Sequence, residues 1–378
     1  MSFLKSSYLH FFILAFLAFL AYSNTFRVPF HFDDIQNIVE NQRIRKISNI
    51  PSFFIDLKGP PIAARPLTSA TFALNYSLAG LEPFGYHLVN LFLHILNGIL
   101  LYLVVVRTAE QMDYPPDSSV RFIALFSSLL FVLHPIQTET LTYIVSRSML
   151  LAATFSFAGI LLFLRAVTVQ KKRGIFIALL SFTSFLGMAS RQDFAIFPIV
   201  LILYDLFFVS KFEKKRFMQH HQVYIPVFLS YGYLAFLLTA FDYEKHAGFG
   251  VEVISPLQYL MTQFRVLWTY LRLLVLPINQ TIDYDYPVVR TLFALPAVLS
   301  FLGYAGLWLA GVFLRKKTPV VSFSILWFMI TLVPSSSVIP IVDVIFEHRL
   351  YLPSAGFFVL VALGLWHISP YRRTSQEQ

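Results

Sequence analysis

The chain of 378 residues contains no cysteine, which excludes a disulfide framework and a thiolate metal site. Charge is scarce as well. Asp, Glu, Lys and Arg make up 13% of the residues, about half the usual share. Also missing are a Gly-rich phosphate loop, a nucleotide-binding fingerprint and a serine nucleophile elbow. No long internal repeat, low-complexity tract or soluble domain is visible. Hydrocarbon fills the chain instead: 57% of residues are hydrophobic and 17% aromatic, with a mean hydropathy of +0.67. A soluble protein of this length would expose much of that apolar surface, so the composition requires lipid. The net charge of +9 does not indicate nucleic acid. The basic residues sit at the ends of apolar runs, where the positive-inside rule places them.

Ten runs read as membrane spans: roughly 8–22, 86–106, 120–133, 148–168, 174–189, 194–210, 222–240, 291–314, 319–333 and 352–368. Several fall short of the roughly 20 residues a straight spanning helix needs, so their ends are expected to extend into the flanking polar segments. Lys171–Arg173, Lys211–Arg216, Arg315–Lys317 and Arg372–Arg373 then all lie on the cytoplasmic side. Residues 257–276 are apolar enough to be an eleventh span, but Arg265 and Arg272 interrupt them. An amphipathic or re-entrant helix on the outer side fits better. A signal peptide cleaved near Ala21-Tyr22-Ser23 is the weaker reading of the first run. The expected fold is an all-α polytopic bundle of about 10–11 transmembrane helices with helices in its outer loops. Residues 1–370 form one integral membrane domain, and 371–378 a short cytoplasmic tail. The outer loops are 24–85, 134–147, 241–290 and 334–351. Most of the unusual polar residues fall in them, so function is expected on the outer face.

Asp33 and Asp34 follow the first span. Adjacent carboxylates at a membrane boundary suit a general base and a positioning partner, or else an N-cap for a helix over 35–41. Pro66 fits the first position of a helix running to Ala79, which makes Arg65 a fixed cation for a phosphate or for the Asp pair. His87, Asn90, His94 and Asn97 share one helical face, as interhelical hydrogen-bonding groups. The two histidines are too far apart to share one metal. His134 opens the next outer segment; if that segment is helical, Glu139, Thr142, Tyr143 and Ser146 share a face closed by Arg147. Arg191 and Asp193 occupy a hairpin tip, and Glu347, His348 and Arg349 precede the last span. A guanidinium at that level grips a phosphate or snorkels to the interface.

Taken in order, these pieces resemble the membrane half of the transmembrane-and-TPR-repeat O-mannosyltransferases and their bacterial relatives. The matching residues are His31-Phe32-Asp33-Asp34 with Asn41, Arg65-Pro66-Leu67-Thr68, and Phe84-Gly85-Tyr86-His87-Leu88-Val89-Asn90. They continue with His134-Pro135-Ile136-Gln137-Thr138-Glu139, Ser146-Arg147, Tyr204-Asp205, and Glu347-His348-Arg349-Leu350-Tyr351-Leu352-Pro353-Ser354. The resemblance implies a GT-C-type glycosyltransferase that takes sugar from a polyprenyl monophosphate on the non-cytoplasmic face, with Asp33 or Asp34 as base. Two departures stand out. The sequence ends soon after its last apolar run, so the family's TPR array is expected to be absent. The hairpin expected to read Ser-Lys-Glu reads Ser190-Arg191-Gln192-Asp193.

Such a reaction needs a base, cations for the leaving phosphate and a pocket that orients both. Asp33 and Asp34 are the catalytic candidates. Arg349, Arg65, Arg147 and Arg191 are the phosphate candidates. His31, Glu139, His134, His87, Asp193, Glu347 and His348 are candidate sugar or acceptor contacts. No cofactor is required, although a divalent cation fits the Asp pair. The expected partners are the lipid-linked sugar and an exported protein or envelope glycan, in a bacterial inner membrane with the active site periplasmic. A flippase for lipid-linked sugar and a lipid-diphosphate-dependent ligase or polymerase are the rival functions.

Overall fold

A computed structural model describes residues 7–56, 58–114, 117–240, 248, 251, 253–291 and 295–368. The tail 371–378 and much of 241–252 lie outside the described residues. Among the described residues there is no β-strand, and most of them are helical. Twelve principal helices are α1 (Ser7–Tyr22), α2 (Pro66–Ala79), α3 (Pro83–Gln111), α4 (Ser118–Leu133), α5 (Arg147–Thr168), α6 (Arg173–Ser190), α7 (Phe197–Tyr204), α8 (His221–Ala240), α9 (Pro256–Val275), α10 (Leu295–Phe313), α11 (Pro319–Leu332) and α12 (Ser354–Ile368). The protein is an integral membrane protein. Seven single helical stretches are long and apolar enough to cross a bilayer, and α4 with Pro135–Thr142 makes a further one bent by 52°. Pro135 explains that bend, because it cannot donate to the preceding turn.

The expectation that short spans lengthen into their flanks holds for the first run, which becomes Ser7–Arg27, and for 174–189, which becomes Gln170–Ser190, each of 21 residues. It fails for α11 and α12, which stop at 14 and 15 residues. Val333 keeps helical dihedrals, but Pro334 has no N–H to continue the ladder, and Pro353 stands immediately before α12. α9 is a capped, amphipathic helix that is less apolar than the spans; Ser255 and Gln258 form its capping box.

The three basic turns gather at one end. Arg173 donates to Gln219 O at 3.1 Å, Lys211 pairs with Asp113 at 3.0 Å, and Arg315 lies over the Phe212 ring. The starts of α3, α5 and α12 and the ends of α4, α6 and α11 are at the other. The stripe on α3 ties them together as interhelical hydrogen bonds. His94 donates to Val132 O (3.0 Å) and accepts from the Tyr351 hydroxyl (2.7 Å); Asn97 donates to Leu150 O (2.9 Å). In a bilayer no water competes for these groups, so they hold the helices in register.

Candidate active site

Residues 28–34 leave α1 and make a tight turn. Phe32 has φ +48 there, a conformation a bulky L-residue adopts only when its surroundings impose it. The turn sends the two adjacent carboxylates in opposite directions. Asp34 is fully buried. It accepts the Val145 N–H at 2.8 Å and the His31 N–H at 3.4 Å. The expected N-cap is therefore not what Asp34 does: no cap bond reaches the short π-helix Ile35–Val39. Burial pushes its carboxyl up to about 6, against the opposing pull of those N–H groups. Asp33 is exposed. Its N–H donates to the Tyr143 hydroxyl at 3.1 Å, and its carbonyl accepts from Asn37 at 2.8 Å, so the backbone is fixed; the carboxylate is exposed and within hydrogen-bonding reach of the same Tyr143 hydroxyl. The His31 ring lies 5.4 Å from that of Tyr143.

The segment 138–148 is not one helix. It breaks at Tyr143, so Glu139 and Tyr143 do not share a face. The break aims successive residues at different partners. Tyr143 meets Asp33, and Val145 meets Asp34. Ser148, in the first turn of α5, lies within 3.5 Å of Arg65 and 3.3 Å of Arg191. Arg191 also pairs with Asp193 at 2.7 Å, with only 11% of its side chain exposed. The hairpin tip is thus packed inward; Gln192 donates to Ala64 O at 2.5 Å. Asp193 lies in the field of Arg191, Arg349 and Arg65. Arg349 is buried and donates to Asp343 O at 2.7 Å and Val344 O at 3.2 Å, with the Tyr259 hydroxyl in hydrogen-bonding contact.

Glu139 accepts from His348 twice, from Nδ1 at 2.5 Å and from the backbone N–H at 3.0 Å. Burial pushes the His348 imidazole down, against the pull of Glu139. Glu347 turns the other way. It accepts from the Tyr284 hydroxyl and Gln280 at 2.5 Å and from the Thr281 N–H at 3.0 Å. Burial pushes its carboxyl up. Glu347 is therefore the tether of the stretch 276–291, and it faces away from the arginine cluster.

Three further candidates serve the scaffold. Arg147 is fully buried and donates to Asn90 (2.8 Å), Asn75 (2.6 Å), Thr71 (3.1 Å) and Tyr86 O (3.0 Å), with Phe72 beneath its plane. Its donors point to neutral acceptors rather than outward. His87 donates to Val28 O at 2.9 Å and holds the acidic turn against α3. His134 accepts the Ile136 N–H at 3.2 Å and packs on Phe358. Among the described residues, no three His, Asp or Glu side chains gather as a metal site. A divalent ion at the acidic turn would find one open carboxylate, that of Asp33. Sequence reasoning passed over Ser148 and Tyr259. A serine following Arg147 carries no signal alone. Tyr259 and Tyr270 are three helical turns apart on one face of α9, which was a usable one.

Fold and site together define a polytopic all-α membrane protein with an acidic turn beside a cluster of one buried and two half-buried arginines. The chain is similar to a protein O-mannosyl-transferase, F38B6.6, of Caenorhabditis elegans, at 28% identity over 93% of this chain and 50% of that protein. It is similar to the protein O-mannosyl-transferase TMTC3 of Homo sapiens at 26% identity over 92% of this chain and 41% of that one. A shorter stretch, 42% of this chain, is 35% identical to 19% of Tmtc3 of Drosophila melanogaster, also named a protein O-mannosyl-transferase. The chain thus spans half or less of the length of these relatives. No family model matches it, and no solved structure does.

Proposed function

We propose that the protein is a glycosyltransferase that moves a sugar from a polyprenyl-monophosphate donor to a hydroxyl of an acceptor protein, on the non-cytoplasmic face. The observation that carries this reading is the convergence of Arg65 and Arg191 on Ser148, with Arg349 sharing Asp193. Three guanidiniums outnumber the two carboxylates that act on them, Asp193 and Asp343, so the cluster keeps a net positive charge. A polyprenyl phosphate leaves the reaction as an anion, and its developing charge needs fixed cations. The first turn of α5 adds oriented N–H groups at the same place. The names of the relatives support the reaction class. Clustering of the basic turns at the opposite end supports the face.

In the proposed step Asp33 takes the proton of the acceptor hydroxyl. That oxygen bonds to the anomeric carbon as the bond from carbon to phosphate oxygen breaks. The phosphate departs with the electron pair onto Arg65, Arg191 and Arg349, and the anomeric centre inverts. Asp33 suits the base role because its carboxylate is exposed while Tyr143 and Asn37 fix its backbone. Asp34 is engaged by N–H groups and positions the turn.

The test compares glycans by mass spectrometry in cells lacking the gene and in cells complemented with wild type or Asp33→Asn. Expected is a sugar mass on protein that disappears on deletion and returns with wild type alone, at equal membrane levels of the variant. Full restoration by Asp33→Asn would remove Asp33 as base. Lipid-linked sugar stranded on the inner leaflet after deletion would make the protein a transporter.

A further inference from the structure

A cavity of about 640 Å³ opens at the basic end between α3, α4, α11 and α12 and reaches inward to the first turn of α12. Its lining runs from Lys317 and His367 at the basic end to Trp327 and Gly356 deeper in the bundle. Along α12 it extends from Ala355 to His367, a rise of ~18 Å against roughly 15 Å for one leaflet's hydrocarbon. The walls are largely apolar. Inside, the Thr108 and Tyr204 hydroxyls satisfy each other at 2.7 Å, so that pair makes no demand on a ligand. Lys317 is exposed, and no carboxylate is among the lining residues described. The nearby acids are engaged: Asp113 by Lys211 (3.0 Å), Glu110 by Arg107 (2.7 Å), and Asp117 by the Ser119 N–H (2.9 Å).

We propose that this cavity holds an acyl chain of an anionic phospholipid from the leaflet at the basic end, with the phosphate at Lys317. A slot of one-leaflet length with an ammonium at its mouth matches a single chain under an anionic headgroup. The occupant is not the sugar donor's chain, because the phosphate that chain carries is assigned to the opposite end. Nothing in the cavity depends on the transfer reaction.

Gly364 lines the slot, and a Cβ built there meets nothing within 4 Å. Gly364→Leu therefore enters empty space and favours helix. The purified full chain is stripped of lipid, offered equal phosphatidylglycerol and phosphatidylcholine in mixed micelles, and weighed by native mass spectrometry. Wild type is expected to retain phosphatidylglycerol about fivefold over phosphatidylcholine, the preference one lysine gives. Gly364→Leu is expected to lose retention of both, and Lys317→Gln to retain both equally. Equal retention by wild type, or wild-type retention by Gly364→Leu, overturns the proposal. So does displacement of phosphatidylglycerol by polyprenyl phosphate, which would assign the slot to the donor. If Gly364→Leu does not fold, Lys317→Gln on its exposed turn decides: an unchanged preference overturns the proposal.

Discussion

At the scale of the residue, neighbours in sequence have opposite fates. Asp33 and Asp34 share a turn, yet one is open and the other is buried on two N–H groups. Their roles should separate by measurement. Asp33→Asn is expected to abolish transfer and leave thermal unfolding unchanged. Asp34 acts on stability through pH. Its folded value of about 6 lies above the ordinary 3.8, so the folded state binds more protons between those values. Stability from this group is therefore present below about pH 4 and lost as pH rises through about 6. The thermal midpoint of purified wild type is expected to fall across that window more steeply than that of Asp34→Asn; parallel curves would remove Asp34 as the cause. Arg147→Met is expected to destabilise the fold. It strands buried acceptors on Asn75, Asn90 and Tyr86, at roughly 1–3 kcal/mol each. A correctly folded but inactive Arg147→Met would instead point to a role on substrate. For Arg191→Gln the expected effect is on the donor, a rise in its KM or a loss of about 10²-fold in kcat, at unchanged acceptor affinity.

At the scale of the element, the sequence reading and the structure part company where side chains must choose partners. Ten apolar runs were read because lipid demands uninterrupted hydrocarbon, and seven helices, or eight with the bent pair, prove long and apolar enough to cross among the described residues. The α3 stripe was legible because helical spacing puts His94 and Asn97 on one face. The arginines were legible as a set, since a guanidinium near lipid needs a reason to be there. What no pattern revealed was which arginine faces inward to neutral acceptors. Arg147 and Arg349 look alike in sequence, and only packing separates them. Whether the segment from His134 to Arg147 is one helix stayed open in the sequence, because nothing local marks the break at Tyr143. The tether at Glu347 was equally hidden, being built from contacts 63 to 67 positions away. It makes a prediction for its element. Glu347→Ala should release 276–291, seen as faster proteolysis in that stretch while the helices stay protected. Uniform proteolysis along the chain would mean global loss of fold instead.

At the scale of the whole molecule, the bundle has two chemically distinct ends. One collects the buried arginines and carboxylates, and the other the short basic turns. The polar groups between them, such as the His94–Tyr351 bond, join helix to helix. That division suits a protein whose chemistry happens at one surface of the bilayer and whose orientation is set at the other. The two halves of the candidate site are joined by one stretch of backbone, for Tyr143 touches Asp33 and Ser148 receives Arg65 and Arg191. Five residues of tight helical backbone measure about 8–10 Å. With a donor bound as proposed, that stretch is a ruler. It fixes the gap between the proton acceptor and the phosphate, and so how closely acceptor oxygen, anomeric carbon and leaving oxygen can be brought into line. The alignment that displacement needs would then be written into the backbone itself, without any side chain that grips the sugar ring.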